Sequence, residues 1–187
     1  MTVGSDPGVL DFRGLWEEAI PYERFAAEAA DLRALWHGVY RTARIPDWAI
    51  ERARTAGSRR LLCITEDWCW DAANTVPIVA RLCDAMDDLE LRTIRRDEYP
   101  AVMDRYLTDG SRSIPIVIVL DGAFAEFGRW GPRPQELQQW AATHREGLEK
   151  SEFYAQMRRW YVKDKGESTL REVLDVLLER RKGGERA

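Results

Sequence analysis

Between residues 60 and 130 the chain alternates strand-like with helical stretches, and this order constrains the fold more than any other feature. Arg60-Leu-Leu-Cys-Ile-Thr65 is a short apolar run suited to a buried strand, and helical character follows from about Cys69 to Met86. Leu89 to Arg95 alternates polar with apolar residues, as a strand does. Glu98 to Leu107 predicts a helix with Pro100 near its first turn, where a missing N–H costs little. Ser113 to Leu120, S-I-P-I-V-I-V-L, is the most strand-like stretch of the chain. Asp121-Gly122 then marks a tight hairpin turn into Ala123 to Arg129. Pro132 and Pro134 punctuate the step to a helix over Gln135 to His144.

A strand–helix–strand unit of this kind is expected to be parallel and right-handed, and the hairpin adds an antiparallel edge. The fold class is therefore α/β, a central four-stranded mixed sheet flanked by helices. Helical patterns also lie on both sides. Leu15, Ala19, Phe25, Ala29, Leu32, Leu35, Trp36 and Val39 recur at spacings of three and four. Pro21 breaks this run into two helices, and Pro46 starts a third through Ala53. Two further helices are expected at Glu152 to Lys163 and Ser168 to Arg181. At 187 residues the chain reads as one domain, with a helical extension over 1–56, a core over 57–148 and a second helical extension over 149–187.

The composition narrows the function classes. The net charge is −4 with acids and bases interleaved, and no basic stripe carries stacking aromatics, so nucleic acid is not an expected partner. The one basic cluster, Arg180, Arg181 and Lys182, suits the solvated end of a helix. No apolar run approaches the roughly 20 residues that span a bilayer. The N-terminus has neither a basic n-region nor an h-region, so the expected location is cytoplasmic, with no membrane contact. His37 and His144 show no ligand spacing with each other or with Cys63, Cys69 and Cys83, and neither G-x-G-x-x-G nor a P-loop occurs. No metal or other cofactor is implied.

A cysteine stands at the carboxyl end of the first strand, where a helix begins. This arrangement resembles the thioredoxin fold. Trp68-Cys-Trp-Asp-Ala72 looks like that family's W-C-x-x-C turn, and Pro77 lies eight residues past Cys69, where the family bends its helix. Ile114-Pro115 stands where the family carries a cis-proline. Asp121-Gly122 matches the last hairpin, and Gly128 or Gly131 the glycine after it. The resemblance covers about Gly57 to His144. The strings E-D-W-C-W-D-A and W-G-P-R-P, with the helical additions, are similar to a bacterial thioredoxin-like family distinct from thioredoxin itself.

The departure from the family pattern is the second cysteine, replaced by Ala72. Cys63 and Cys83 each lie roughly 20 Å from Cys69 along their own elements, whereas a disulfide needs Cα atoms within about 7 Å. Cys69 is thus a monothiol in its own chain. A helix N-terminus lowers a thiol pKa, while Glu66, Asp67 and Asp71 would raise it if aimed at the sulfur. Arg129 or Arg133 could offset them. Two readings follow. In the first, the protein is a monothiol oxidoreductase: Cys69 forms mixed disulfides with a low-molecular-weight thiol or a protein disulfide, between Trp68 and Trp70, tuned by Asp71 and Arg133. Ile114 and Pro115 then support substrate. In the second, the same groove is a redox-inactive binding module for a protein partner. Accessibility and pKa of the Cys69 thiol separate the two.

Overall fold

The computed structural model describes residues 10–178. Its centre is a sheet in which β2 (Arg59–Thr65) pairs in parallel with β3 (Leu89–Arg95) and antiparallel with β4 (Ile116–Leu120). Strand β5 (Glu126–Trp130) closes one edge antiparallel to β4. The other edge carries β1, only Ile20–Pro21, antiparallel to β3. The sheet therefore has five strands where the sequence predicts four, in the order β1-β3-β2-β4-β5. The added strand is too short for any alternation to reveal, and Thr93 fixes it by donating its hydroxyl to the Ile20 carbonyl at 3.2 Å.

The central strands hold the core. Leu61, Leu62, Cys63 and Ile64 face Val119, Ile118, Val117 and Ile116 in turn across the β2–β4 ladder, and all are buried. Strands covered on both faces cannot alternate polar with apolar residues, which is why β2 and β4 read as continuous apolar runs. Helix α5 (Trp70–Asp84) follows β2 and packs on β3, with Pro77 inside it. Helix α9 (Glu167–Leu178) packs against α5 and β5, so the final helix belongs to the layer that covers the sheet. Glu172 on α9 pins it there, accepting from Trp130 Nε1 at 2.7 Å and from the Gln135 amide at 2.8 Å. Arg180, Arg181 and Lys182, expected to close this helix, lie outside the described residues.

The N-terminal helices depart from expectation in one informative way. After α1 (Phe12–Glu18), the periodicity predicts one helix from Phe25 through Val39, but it is split into α2 (Tyr22–Glu28) and α3 (Arg33–Thr42). The break sits where the Asp67 carboxylate accepts the backbone amides of Ala30 at 2.8 Å and Asp31 at 3.3 Å. Those amides are lost to the helix, and Leu32 enters α3 in the left-handed conformation. Trp36, fully buried on α3, donates Nε1 to the Asp67 carbonyl at 2.8 Å. Helix α4 (Asp47–Ala53) starts after Pro46 as predicted. Between β3 and β4, α6 spans only Pro100–Met103, shorter than the expected Glu98 to Leu107. Helices α7 (Gln135–His144) and α8 (Lys150–Asp164) pack on each other around Leu137, Met157 and Tyr161.

Asp67 thus ties the N-terminal helices to the end of β2 through a buried charged acceptor. Asp67→Ala should cost about 2–3 kcal/mol in urea unfolding, since it orphans two amides. The Ala30 and Asp31 amides should lose hydrogen-exchange protection. Unchanged protection there would show that the helix break has another cause.

Candidate functional site

Helix α5 begins because Cys69 caps it. Its backbone is extended, and the Ala72 amide donates to Cys69 Sγ at 3.4 Å. The thiol in turn donates to the Ile114 carbonyl at 3.3 Å. Ile114-Pro115 is a cis peptide, and its Ile114 carbonyl places the segment before β4 directly against the sulfur. Gly131, also followed by a cis-proline, holds the next turn against the same segment: a Cβ there would meet the Pro115 carbonyl oxygen at 2.1 Å. Only glycine permits that approach, at φ +126°.

The turn after β5 brings in Arg133. Its Nε donates to Asp71 Oδ2 at 3.0 Å, and its Nη2 bonds the same oxygen. The other carboxylate oxygen accepts the Tyr161 hydroxyl at 2.6 Å. Asp71 is buried, so this pairing offsets a desolvation cost that a lone carboxylate could not meet. Burial beside Asp71 holds the Tyr161 hydroxyl far above its ordinary pKa and therefore protonated. Sequence reasoning missed Tyr161. It stands on α8 among ordinary helical spacing, and only tertiary packing brings it to the site.

The remaining sequence-predicted residues fall as follows. Arg129 turns away, its guanidinium over the Tyr106 ring at 5.2 Å, so Arg133 alone of the two reaches the site. Glu66 and Asp67 are buried but not aimed at the sulfur. Glu66 Oε1 accepts the Asp97 amide at 2.9 Å, and both side chains lie within 4 Å of Arg95. Trp68 and Trp70 are 42% and 43% exposed, large apolar rings left at the surface. Arg96 stacks over Trp68 at 4.7 Å and Arg158 over Trp70 at 5.7 Å. Cys63, Cys69 and Cys83 are free and buried. Among the described residues no cluster of His, Cys, Asp and Glu could hold a metal ion. His144 is occupied by its own helix, stacked on Trp140 with Nδ1 2.8 Å from the Trp140 carbonyl.

Electrostatically the sulfur sits on the losing side. Cys69 is only 8% exposed. Burial first, then the Asp71 charge, push its thiol pKa from 9.0 up to about 11, while the backbone amides of Ala72 and Asp71 and the Arg133 charge pull the other way and lose. At neutral pH the site holds a neutral thiol that donates a hydrogen bond.

A folded-state pKa raised above the unfolded value contributes stability below the unfolded pKa, and that contribution disappears as pH rises through the folded one. Cys69 therefore weakens the fold between about pH 9 and 11. A shift of this size corresponds to roughly 3 kcal/mol. Denaturant unfolding should show wild-type stability falling relative to Cys69→Ser over that window. A constant difference between the two proteins from pH 7 to 11 would contradict the raised pKa.

Comparison with known proteins agrees with this architecture. No curated protein matches the chain. Two solved structures that match are a protein of unknown function from Pseudomonas aeruginosa and an HIV epitope-scaffold. The first is 19% identical with a TM-score of 0.73, and the second 20% identical with a TM-score of 0.70. Each alignment covers 90% of this chain and 98% of the other. At such identities the likeness shows the fold alone. The thioredoxin family model Thioredoxin_9 matches residues 20–161, which takes in the sheet, the Cys69 turn and Tyr161, and the chain belongs to that thioredoxin-like family.

Proposed function

We propose that this protein uses its thioredoxin-like scaffold as a binding module for a protein partner, with Cys69 kept as a neutral structural thiol. The observation that carries this reading is the state of the sulfur: buried, donating to the Ile114 carbonyl, with its pKa pushed up to about 11. Thiol–disulfide exchange needs a thiolate. With this pKa the thiolate fraction at pH 7 is on the order of one in ten thousand. The exposed Trp68 and Trp70 rings on either side of Cys69 supply the apolar anchors that protein interfaces favour.

One observation favours the monothiol reading instead. Cys69 caps α5, and the Ala72 amide already points at the sulfur, so a thiolate formed there would keep a donor. In that case the thiolate attacks one sulfur of a substrate disulfide, and an S–S bond forms as the other sulfur leaves as a thiolate. An external thiol must then attack the mixed disulfide to free Cys69, because Ala72 stands where a resolving thiol would be.

The two readings separate on alkylation of Cys69 against pH, with Cys63→Ser and Cys83→Ser in the background. The rate should rise about tenfold per unit through pH 10, following the thiolate fraction. An apparent pKa below 8 would replace the binding reading with the monothiol one. Ala72→Cys places a second sulfur one turn along the helix. If the groove serves binding alone, this variant forms the disulfide yet reduces insulin no faster than wild type. Efficient insulin reduction by Ala72→Cys would show that the groove remains competent for exchange.

A further inference from the structure

Away from the Cys69 turn, α3, the loop before α4, one side of α5 and the α8–α9 turn enclose a half-open cavity of about 690 Å³. That volume is in the range of small-molecule sites, ~300–1,000 Å³. Its floor is apolar: Leu35, Val39, Trp48, Ile78 and Leu170. The α8–α9 turn passes close over this floor, since a Cβ on Gly166 would fall within 2.8 Å of Ile78.

The charges at the mouth are unequal in their commitments. Asp164 accepts both the amide and the hydroxyl of Ser168, and Glu167 is bridged to Arg171 at 2.7 Å. Both carboxylates are therefore engaged within α8 and α9. Arg44, Lys163 and Lys165 also line the cavity and are exposed; Arg44 donates to the Ala43 carbonyl at 3.5 Å, and among the described residues none of the three forms an ion pair with a carboxylate. Val162 stands beside them, 76% exposed, which extends apolar surface out from the opening. An apolar floor under uncommitted cations is complementary to a molecule with an apolar chain and one anionic end.

We infer that this cavity is a binding site for a free single-chain fatty carboxylate, with the chain on the Val39–Ile78–Leu170 floor and the carboxylate at Arg44, Lys163 and Lys165. The site is distinct from the Cys69 face and does not depend on either reading of it. The two share one residue, because Tyr161 lines the cavity while its hydroxyl bonds Asp71.

The test is isothermal titration of the full chain with dodecanoate below its micellar concentration, against dodecyltrimethylammonium as the charge-reversed probe. Dodecanoate should bind saturably with one molecule per chain, and the ammonium probe at least about tenfold more weakly. The double variant Lys163→Gln/Lys165→Gln removes two exposed charges at the end of α8, so it should melt within a few degrees of wild type while losing at least about tenfold in dodecanoate affinity. Val39→Trp, which fills the floor, should abolish binding. If that variant does not fold, the lysine pair still decides. Absence of saturable dodecanoate binding, equal affinity for the two probes, or an affinity unmoved by neutralising the lysine pair would each overturn the proposal.

Discussion

The buried Asp71 carboxylate is the interaction on which the site's construction depends. A carboxylate taken out of water is tolerated only when its oxygens are paired and hydrogen-bonded. Here one oxygen is held by Arg133 from the turn after β5, and the other by Tyr161 from α8. Three segments far apart in sequence are therefore obliged to meet at the first turn of α5. Removing any one leaves a buried group without its partner. The helices that follow β5 are for this reason part of the site and not an appendage to it.

The same carboxylate helps decide the chemistry of the sulfur beside it. A helix N-terminus stabilises an anion by typically ~0.3–1 kcal/mol, and Arg133 adds to that. Arg133 is already committed to Asp71, so the pair presents the sulfur with little net positive charge. Burial then dominates. The thiol resolves the conflict by staying protonated and donating to Ile114, which satisfies both a polar hydrogen and a backbone carbonyl in a closed site.

Much of this fold was legible because strand and helix periods differ, and Leu89–Arg95 and Gln135–His144 fell at the bounds the sequence suggested. The W-C-W-D-A turn and Pro115 could be singled out through their resemblance to the thioredoxin pattern, and Arg133 as one of two arginines expected beside that turn. Three features were hidden. Strand β1 is two residues long and has no period. The split between α2 and α3 is imposed by a side chain 36 residues downstream of the break, which overrides a continuous helical pattern. Tyr161 contacts Asp71 across 90 positions, and nothing in its own segment marks it.

The acids around Cys69 show most clearly why local sequence could not settle the site. In E-D-W-C-W-D, three carboxylates lie within three residues of one sulfur, and by spacing alone each is a candidate to tune it. Their positions at a strand end decide otherwise. Glu66 leaves β2 toward the next loop, where it accepts the Asp97 amide. Asp67 turns to the N-terminal helices, taking the Ala30 and Asp31 amides. Asp71 alone, in the first turn of α5, bears on the thiol, and it does so while holding Arg133 and Tyr161. Two of the three charges are thus spent on anchoring the elements that surround the turn. The third ties Arg133 and Tyr161 to the first turn of α5, and its charge adds to burial in raising the Cys69 pKa.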